Sequence, residues 1–306
     1  MSIGLLRRWL LSLAMVAVGA AGALAQPVAK LQSFATPEAA AVALADAVRK
    51  NDRQAIAAMW GADWREFVPG TDDDVQRRRT AYLAAWDKGH KILMSGEDRA
   101  RIEVGDAGWT LPIPLVKSGA EWHFDVAAGL KDMVLRRIGH DEAAVVQTLL
   151  AIVDAQSDYA ALDPMDTGAP AYARRLLSSP GRKDGLYWPA KPGEPQSPLG
   201  PAVARAQADG QAPDGHYGYF FRLLYAQGSA APGGARDYLV NGRMIGGFGV
   251  IAWPVRYGDT GVMTFIVNQD GVVYQQDLGP QTPQKAAAIT SFNPDQGWKK
   301  ADMTPP

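Results

Sequence analysis

Between residues 36 and 88 the apolar positions recur at helical spacing. In TPEAAAVALADAVRKNDRQAIAAMWG, which begins at Thr36, Ala40, Leu44, Ala47 and Val48 fall on one face. Thr36 is a candidate N-cap, with Pro37 at the first helical position and Glu38 just after it. Asn51 and Asp52 interrupt the pattern, and a shorter helix then carries Ile56 to Trp60. A third helical stretch, DDDVQRRRTAYLAAWDKG, has acids in its first turn, where the helix dipole favours them. Its Val75, Tyr82, Leu83 and Trp86 can face a core, and Arg77 to Arg79 read as a solvated face.

After Gly89 the period changes. HKILMSG, RARIEVGDAGWTLPIPLVKSG and AEWHFDVAAG alternate or cluster apolar residues between glycine-containing turns, which predicts strands. Pro112 and Pro114 require that this strand be an edge or be bent. A longer helix follows in DEAAVVQTLLAIVDAQSDYAALDP, capped by Asp141 and stopped by Pro164. Val145, Leu149, Ile152, Gln156 and Tyr159 lie along its apolar stripe. From Pro164 to Gly218 glycine, proline and serine are dense, predicting an irregular loop broken by a short helix in LGPAVARAQADG. The last third reads as strands in GYFFRLLYAQG, ARDYLVNGRM, GGFGVIAWPVRYG, GVMTFIVNQDG and VVYQQDLG. No internal repeat is visible. The order of elements predicts an α+β chain: a unit of helices plus a small antiparallel sheet over residues 26–131, then a long helix on an antiparallel sheet over 132–306.

The two ends of the chain change this picture. Residues 1–25 place Arg7 and Arg8 before an uncharged apolar run from Trp9, with small residues at Ala23 and Ala25. That pattern predicts a secretory signal peptide cut after Ala25. The run is shorter than the roughly 20 residues a spanning helix needs, so a retained anchor is the weaker expectation. The expected location is periplasmic or secreted, with no membrane span after cleavage. Cysteine is absent, so no disulfide braces the fold in an oxidising compartment. Cleavage removes two arginines from 31 basic against 32 acidic residues, which leaves a formal charge of −3. Such a balance argues against a nucleic-acid partner, whose phosphates call for a strongly basic surface.

Candidate chemistry is sparse. Gly247, Gly249 and Ala252 spell the G-x-G-x-x-A of a dinucleotide loop, but Val250, Ile251 and Val255 favour a strand and Pro254 forbids the helix that the loop must open. The glycines more simply permit a bend or a close backbone approach. In NQDGVVYQQD, setting Gly271 at the sixth position of a calcium loop puts Asn268, Asp270 and Asp277 at ligand positions and the non-coordinating Ile266 at the first. An Asp-Gly hairpin turn explains the same text better. The histidines, His90, His123, His140 and His216, show no i, i+4 pair for zinc, and no G-x-S-x-G elbow occurs. No catalytic residue, metal ligand or cofactor is therefore assigned. Asp125, on the predicted strand WHFDV, is either a base facing a pocket near Tyr82 or a solvent-facing residue. Lys183, Asp184, Tyr187 and Trp188 gather charge and aromatic surface in one Gly/Pro loop, either as a binding surface or as packing onto the sheet.

Three resemblances accompany these residues. Helices followed by a small sheet over residues 32–130 resemble the layout of the nuclear-transport-factor-2-like superfamily, cone-shaped domains that in enzymes carry pocket carboxylates. RRIGHDEAAVVQTLLAIVDAQSDYA, KDGLYWPA, SPLGP, the stretch AAPGGARDYLVNGRM continuing to VVYQQDLG, and DQGWKKAD resemble an uncharacterised family of bacterial secreted proteins, the domain of unknown function numbered 2950. That resemblance implies an envelope or secreted location and no activity. LLAIVDAQSDYA followed by GYFFRLLYAQG and VIAWPVRYGDTGVMTFIVNQDGVV is similar to the soluble part of type IV pilins and pseudopilins, in which one helix packs on an antiparallel sheet. Here the apolar helix extension that polymerises pilins is replaced by charged KDMVLRRIGHDE. The expectation is a non-enzymatic envelope protein that binds another envelope protein or a small ligand. A hydrolase or isomerase with a pocket in the first unit, and a calcium-stabilised module, are the alternatives.

Overall fold

The computed structural model describes residues 31–207, 212–302 and 304, so the signal segment expected at 1–25 lies outside the described residues. The fold is α+β. Helix α1 (Pro37–Lys50) begins where expected: the Thr36 hydroxyl accepts from the Ala39 amide at 3.1 Å, and Asn51 ends the helix in the left-handed region at φ 54°. Helix α2 (Arg53–Trp60) is capped by Asp52, whose carboxylate takes the Gln54 and Ala55 amides. A 3-10 turn (Trp64–Phe67) leads to α3 (Asp72–Lys88), which opens with a reciprocal capping box between Thr71 and Asp74.

The first sheet contains β1 (His90–Met94), β2 (Arg99–Val104), β3 (Trp109–Thr110), β4 (Leu115–Ser118) and β5 (Glu121–Phe124). It is antiparallel in the order β1-β2-β4-β5, with β3 on the same edge of β2 as the Pro112–Pro114 bend that separates it from β4. Ile102, Leu115 and Phe124 face Leu44, Met59 and Trp60 of the helices, all buried. The alternation of period two against period 3.6 thus builds one apolar layer between helices and sheet.

Helix α4 (Val126–Leu162) moves the N-cap expected at Asp141 to Asp125, sixteen residues earlier. The strand expected through AEWHFDVAAG stops at Phe124, and the Asp125 carboxylate accepts from the Ala128 amide at 3.0 Å as an N-cap. Nothing between Asp125 and Asp163 breaks a helix: there is no proline, and Gly129 is used for contact, since a Cβ there would meet the Ile113 Cα at 3.1 Å. The boundary expected at 131/132 falls inside this helix, which runs about 55 Å at 1.5 Å per residue. Its first turns add Val126, Leu130 and Met133 to the core of the first unit, while Val145, Leu149 and Ile152 enter a second core.

Beyond the loop and the short α5 (Pro201–Arg205) come β6 (Tyr219–Leu224), β7 (Ala226–Gln227), β8 (Arg236–Asp237), β9 (Leu239–Val240), β10 (Arg243–Met244), β11 (Gly249–Pro254), β12 (Met263–Asn268), β13 (Tyr274–Asp277), α6 (Thr282–Ala288) and β14 (Lys299–Lys300). The main sheet is ordered β14-β13-β12-β11-β6, every adjacent pair antiparallel. Strand β11 is buried along its whole length because both faces are covered. Val250 and Ala252 meet the α4 side, and Ile251 and Trp253 meet Ala286 and Phe292 on the other. Gly249 sits in a strand, where a Cβ would crowd Leu224 and Phe292, and Gly247 has φ 129°, where a Cβ would meet the Tyr238 ring. These glycines serve close packing. Asn268 to Gly271 forms the expected turn, with the Gly271 amide donating to the Asn268 carbonyl at 3.0 Å.

Helix α4 is tied to this sheet by Glu142. One carboxylate oxygen accepts from the Val262 and Met263 amides at 2.8 and 2.9 Å and from the Tyr219 hydroxyl at 3.2 Å. Arg137 donates to the Asp259 carboxylate at 2.6 Å nearby. Gln156, fully buried, pairs through both ends of its amide with the backbone of Ala173.

Candidate functional site

Where α1, α2 and α3 cross the first sheet they do not close completely. A cavity of about 550 Å³ remains, within the range of small-molecule pockets. Its walls come from separate elements: Leu44 and Val48 from α1, Trp60 from α2, Tyr82 and Ala85 from α3, Val104 and Leu111 from the sheet side, and Met133 from α4. Trp64 and Phe67 of the 3-10 turn complete it, with the Trp60 and Phe67 rings 5.7 Å apart. Exposed lining residues, Asn51, Arg78, Ala81 and Trp109, mark where it opens to solvent.

The polar groups of this lining are few and distinctive. Trp60 Nε1 and the Tyr82 hydroxyl are both enclosed and neither has a hydrogen-bond partner. Burial pushes the Tyr82 phenol well above its usual range, so it stays protonated and able to donate. Buried polar atoms are normally satisfied, so two enclosed donors without partners on residues that line one cavity stand out beside its wall. Arg79 corrects the expectation of a wholly solvated Arg77–Arg79 face. It is half-buried and donates to the Val48 and Arg49 carbonyls, each at 2.7 Å, at the C-terminal end of α1, where the dipole favours a cation. Arg77 is exposed and pairs with Asp74, as that expectation has it.

Among the described lining residues there is no carboxylate and no imidazole. Asp125 is half-buried, is spent as the cap of α4 and does not line the cavity, so the pairing of an Asp125 base with Tyr82 is not formed. The cavity can enclose an apolar molecule and donate hydrogen bonds to it, and it lacks an obvious group to move a proton. Of its polar residues, Tyr82 is the one that the sequence marks as a candidate beside a pocket. The sequence reading misses the joint role of Trp60, Trp64 and Trp109, whose signal is the density of tryptophan around the turn WREF and at Trp109.

The loop residues are placed separately. Trp188 is buried in the second core, its ring 6.4 Å from that of Tyr159. Tyr187 is half-buried and exchanges backbone hydrogen bonds with Leu176 and Ser178, both at 2.9 Å. The Lys183 ammonium lies 5.7 Å from the Trp188 ring and its carbonyl accepts from the Tyr159 hydroxyl at 2.6 Å. Asp184 accepts from the Ser179 amide and hydroxyl at 2.8 and 2.9 Å, on the wall of a separate groove. The chain therefore brings the four together around one corner, with the aromatic pair turned toward the core.

Among the described residues no group of three or more metal-ligating side chains converges, and no helix is long and apolar enough to cross a membrane. Residues 31–301 match the model of a family described as protein of unknown function (DUF2950). No curated protein and no solved structure matches the chain.

Proposed function

Because the chain belongs to DUF2950, a family of proteins of unknown function, we propose a role from its geometry: a non-enzymatic binder of a small apolar molecule held in the cavity of the first unit. The observation that carries this reading is a largely apolar cavity with two unpartnered donors, Trp60 Nε1 and Tyr82 Oη, enclosed in its wall. A ligand with an apolar body and one or two acceptor oxygens supplies what both lack, and an exposed guanidinium, Arg78, stands at the opening for an anionic head. The absence of carboxylate and imidazole from the described lining favours binding over acid-base catalysis.

We place the mature protein in the bacterial periplasm or outside the cell, supported by the charged-then-apolar text of residues 1–25. The likeness to pilins is, in our reading, one of shape, supported by α4 lying against β11 and β12. We attach no fibre to it, because Lys131, Asp132, Arg136 and Arg137 interrupt the N-terminal part of the helix.

The test uses residues 26–306 and dodecanoic acid as probe. Quenching or blue shift of tryptophan emission, saturating at one probe per chain, is expected, since three tryptophans line the cavity. Ala85→Trp, which fills the space, is expected to abolish it while leaving the circular dichroism unchanged. Undiminished binding by that variant, or no binding of dodecanoic acid or of a neutral ketone of similar length, overturns the reading.

A further inference from the structure

The loop that leaves α4 folds back across the end of that helix and meets β6 and β10, leaving a groove of about 860 Å³ on the opposite unit from the cavity. Its floor is apolar, with Leu176, Leu223 and Met244. Its walls carry Arg174, Arg175, Arg182, Arg222 and Arg243 against two carboxylates, Asp163 and Asp184.

Both carboxylates are already served by their own loop. Asp184 takes the amide and hydroxyl of Ser179, and Asp163 takes the Thr167 hydroxyl at 2.9 Å and the Gly168 amide at 2.8 Å. Four of the five guanidiniums are not. Arg175 and Arg182 approach Asp184 only through Nε, at 3.9 and 3.7 Å, too far for a hydrogen bond. The Arg174 side chain has no polar partner among the described residues. Arg243 spends one terminal nitrogen on the Ala169 carbonyl and the Thr167 hydroxyl and keeps its others free. Elsewhere in the molecule arginines make close pairs with acids: Arg49 with Asp87 at 2.7 Å, Arg65 with Asp72 at 2.9 Å and Arg137 with Asp259 at 2.6 Å. Arg222, the fifth, spends its terminal nitrogens on the Ala286, Ala287 and Ile289 carbonyls, so four unspent guanidiniums face two occupied anions in one concave place.

We propose that this groove is a second binding site, for an oligoanion: a molecule or chain carrying two or more phosphate or carboxylate groups. The planar fork of arginine matches both groups bidentately and sheds water more readily than an ammonium. A single anion would leave most of the donors unused, whereas several spaced along the groove engage Arg174 and Arg175 on the loop and Arg243 on β10 together. The site stands apart from the apolar cavity and from any ligand there, so either can fail without the other.

Isothermal titration of residues 26–306 with tripolyphosphate, with citrate and with long-chain polyphosphate tests it, at low and at physiological salt. Saturable binding that weakens with salt is expected for at least one probe, and Arg174→Gln with Arg175→Gln is expected to weaken it by roughly tenfold or more. Both side chains are exposed, so the fold survives their change. Binding of tripolyphosphate or citrate identifies a free anion as the ligand, and binding of the polymer alone identifies a chain. A control pair, Arg53→Gln with Arg99→Gln, removes the same charge from exposed positions outside the groove. Equal weakening by the control pair reduces the effect to net charge and overturns the proposal, as does a lack of binding by all three probes.

Discussion

Removing the Tyr82 hydroxyl should make the empty protein more stable and the loaded one weaker. In Tyr82→Phe the ring stays, keeping its 6.2 Å contact with Trp86, and only the enclosed oxygen without a partner is lost. An orphaned buried hydroxyl costs about 1–3 kcal/mol, so a gain of about 1 kcal/mol or more is expected. That corresponds to a rise of about 2–4 °C in Tm. A second readout follows from the raised phenol. Up to about pH 10 tyrosine is neutral in both the folded and unfolded chains. Above that the unfolded phenol loses its proton while burial holds it on the folded one, so stability falls by up to about 1.4 kcal/mol per pH unit. The variant lacks this loss, and its advantage over the wild type should widen as pH climbs past 10. Urea unfolding followed by circular dichroism, at neutral and alkaline pH, measures both. A variant less stable than wild type by more than about 0.5 kcal/mol, beyond the scatter of ordinary surface changes, would refute the reasoning, because it would show that the hydroxyl has a partner. The same substitution should weaken dodecanoic acid binding by about tenfold, one hydrogen bond's worth.

Other sites give sharper stability effects. Gln156→Leu strands both the amide and the carbonyl of buried Ala173 and should cost about 2–4 kcal/mol in urea unfolding, where a cost under 1 would count against the clamp. Glu142→Ala leaves the Val262 and Met263 amides unpartnered, and amide hydrogen exchange at those two positions should quicken by at least tenfold with β4 and β5 unaffected. Burial also raises the phenols of Tyr159 and Tyr238, each to about 12, so alkaline unfolding above about pH 10 should remain even in Tyr82→Phe.

Much of the architecture was legible in the text of the chain. Thr36, Asp52 and Asp72 to Asp74 mark helix starts through contacts spanning two or three residues, and Asn268 to Gly271 closes a turn on itself. The G-x-G-x-x-A match fails on the same local grounds, and Gly249 begins a strand. The errors share a cause. Asp125 reads equally well as the next residue of an alternating strand or as a helix cap, and the docking of Gly129 against Ile113 is part of what favours the helix. Arg79 reads as one member of a charge run, yet the C-terminal end of α1, thirty residues earlier, takes its donors.

The candidate sites belong to the same non-local class. Periodicity, capping and turn chemistry act within a few residues, so they specify helices, strands and the α+β order whatever packs against them. A cavity is the space left where α1, α2, α3, β2 and α4 fail to fill one another, and no segment carries a record of it. Trp60 and Tyr82 become orphaned donors only when helices brought together from distant positions bury both without an acceptor. Likewise Arg174 and Arg243, far apart in the chain, become one cationic wall because β10 pairs beside the loop at Tyr172. Local order is written residue by residue, while exclusion of water and convergence of charge are properties of the packed molecule.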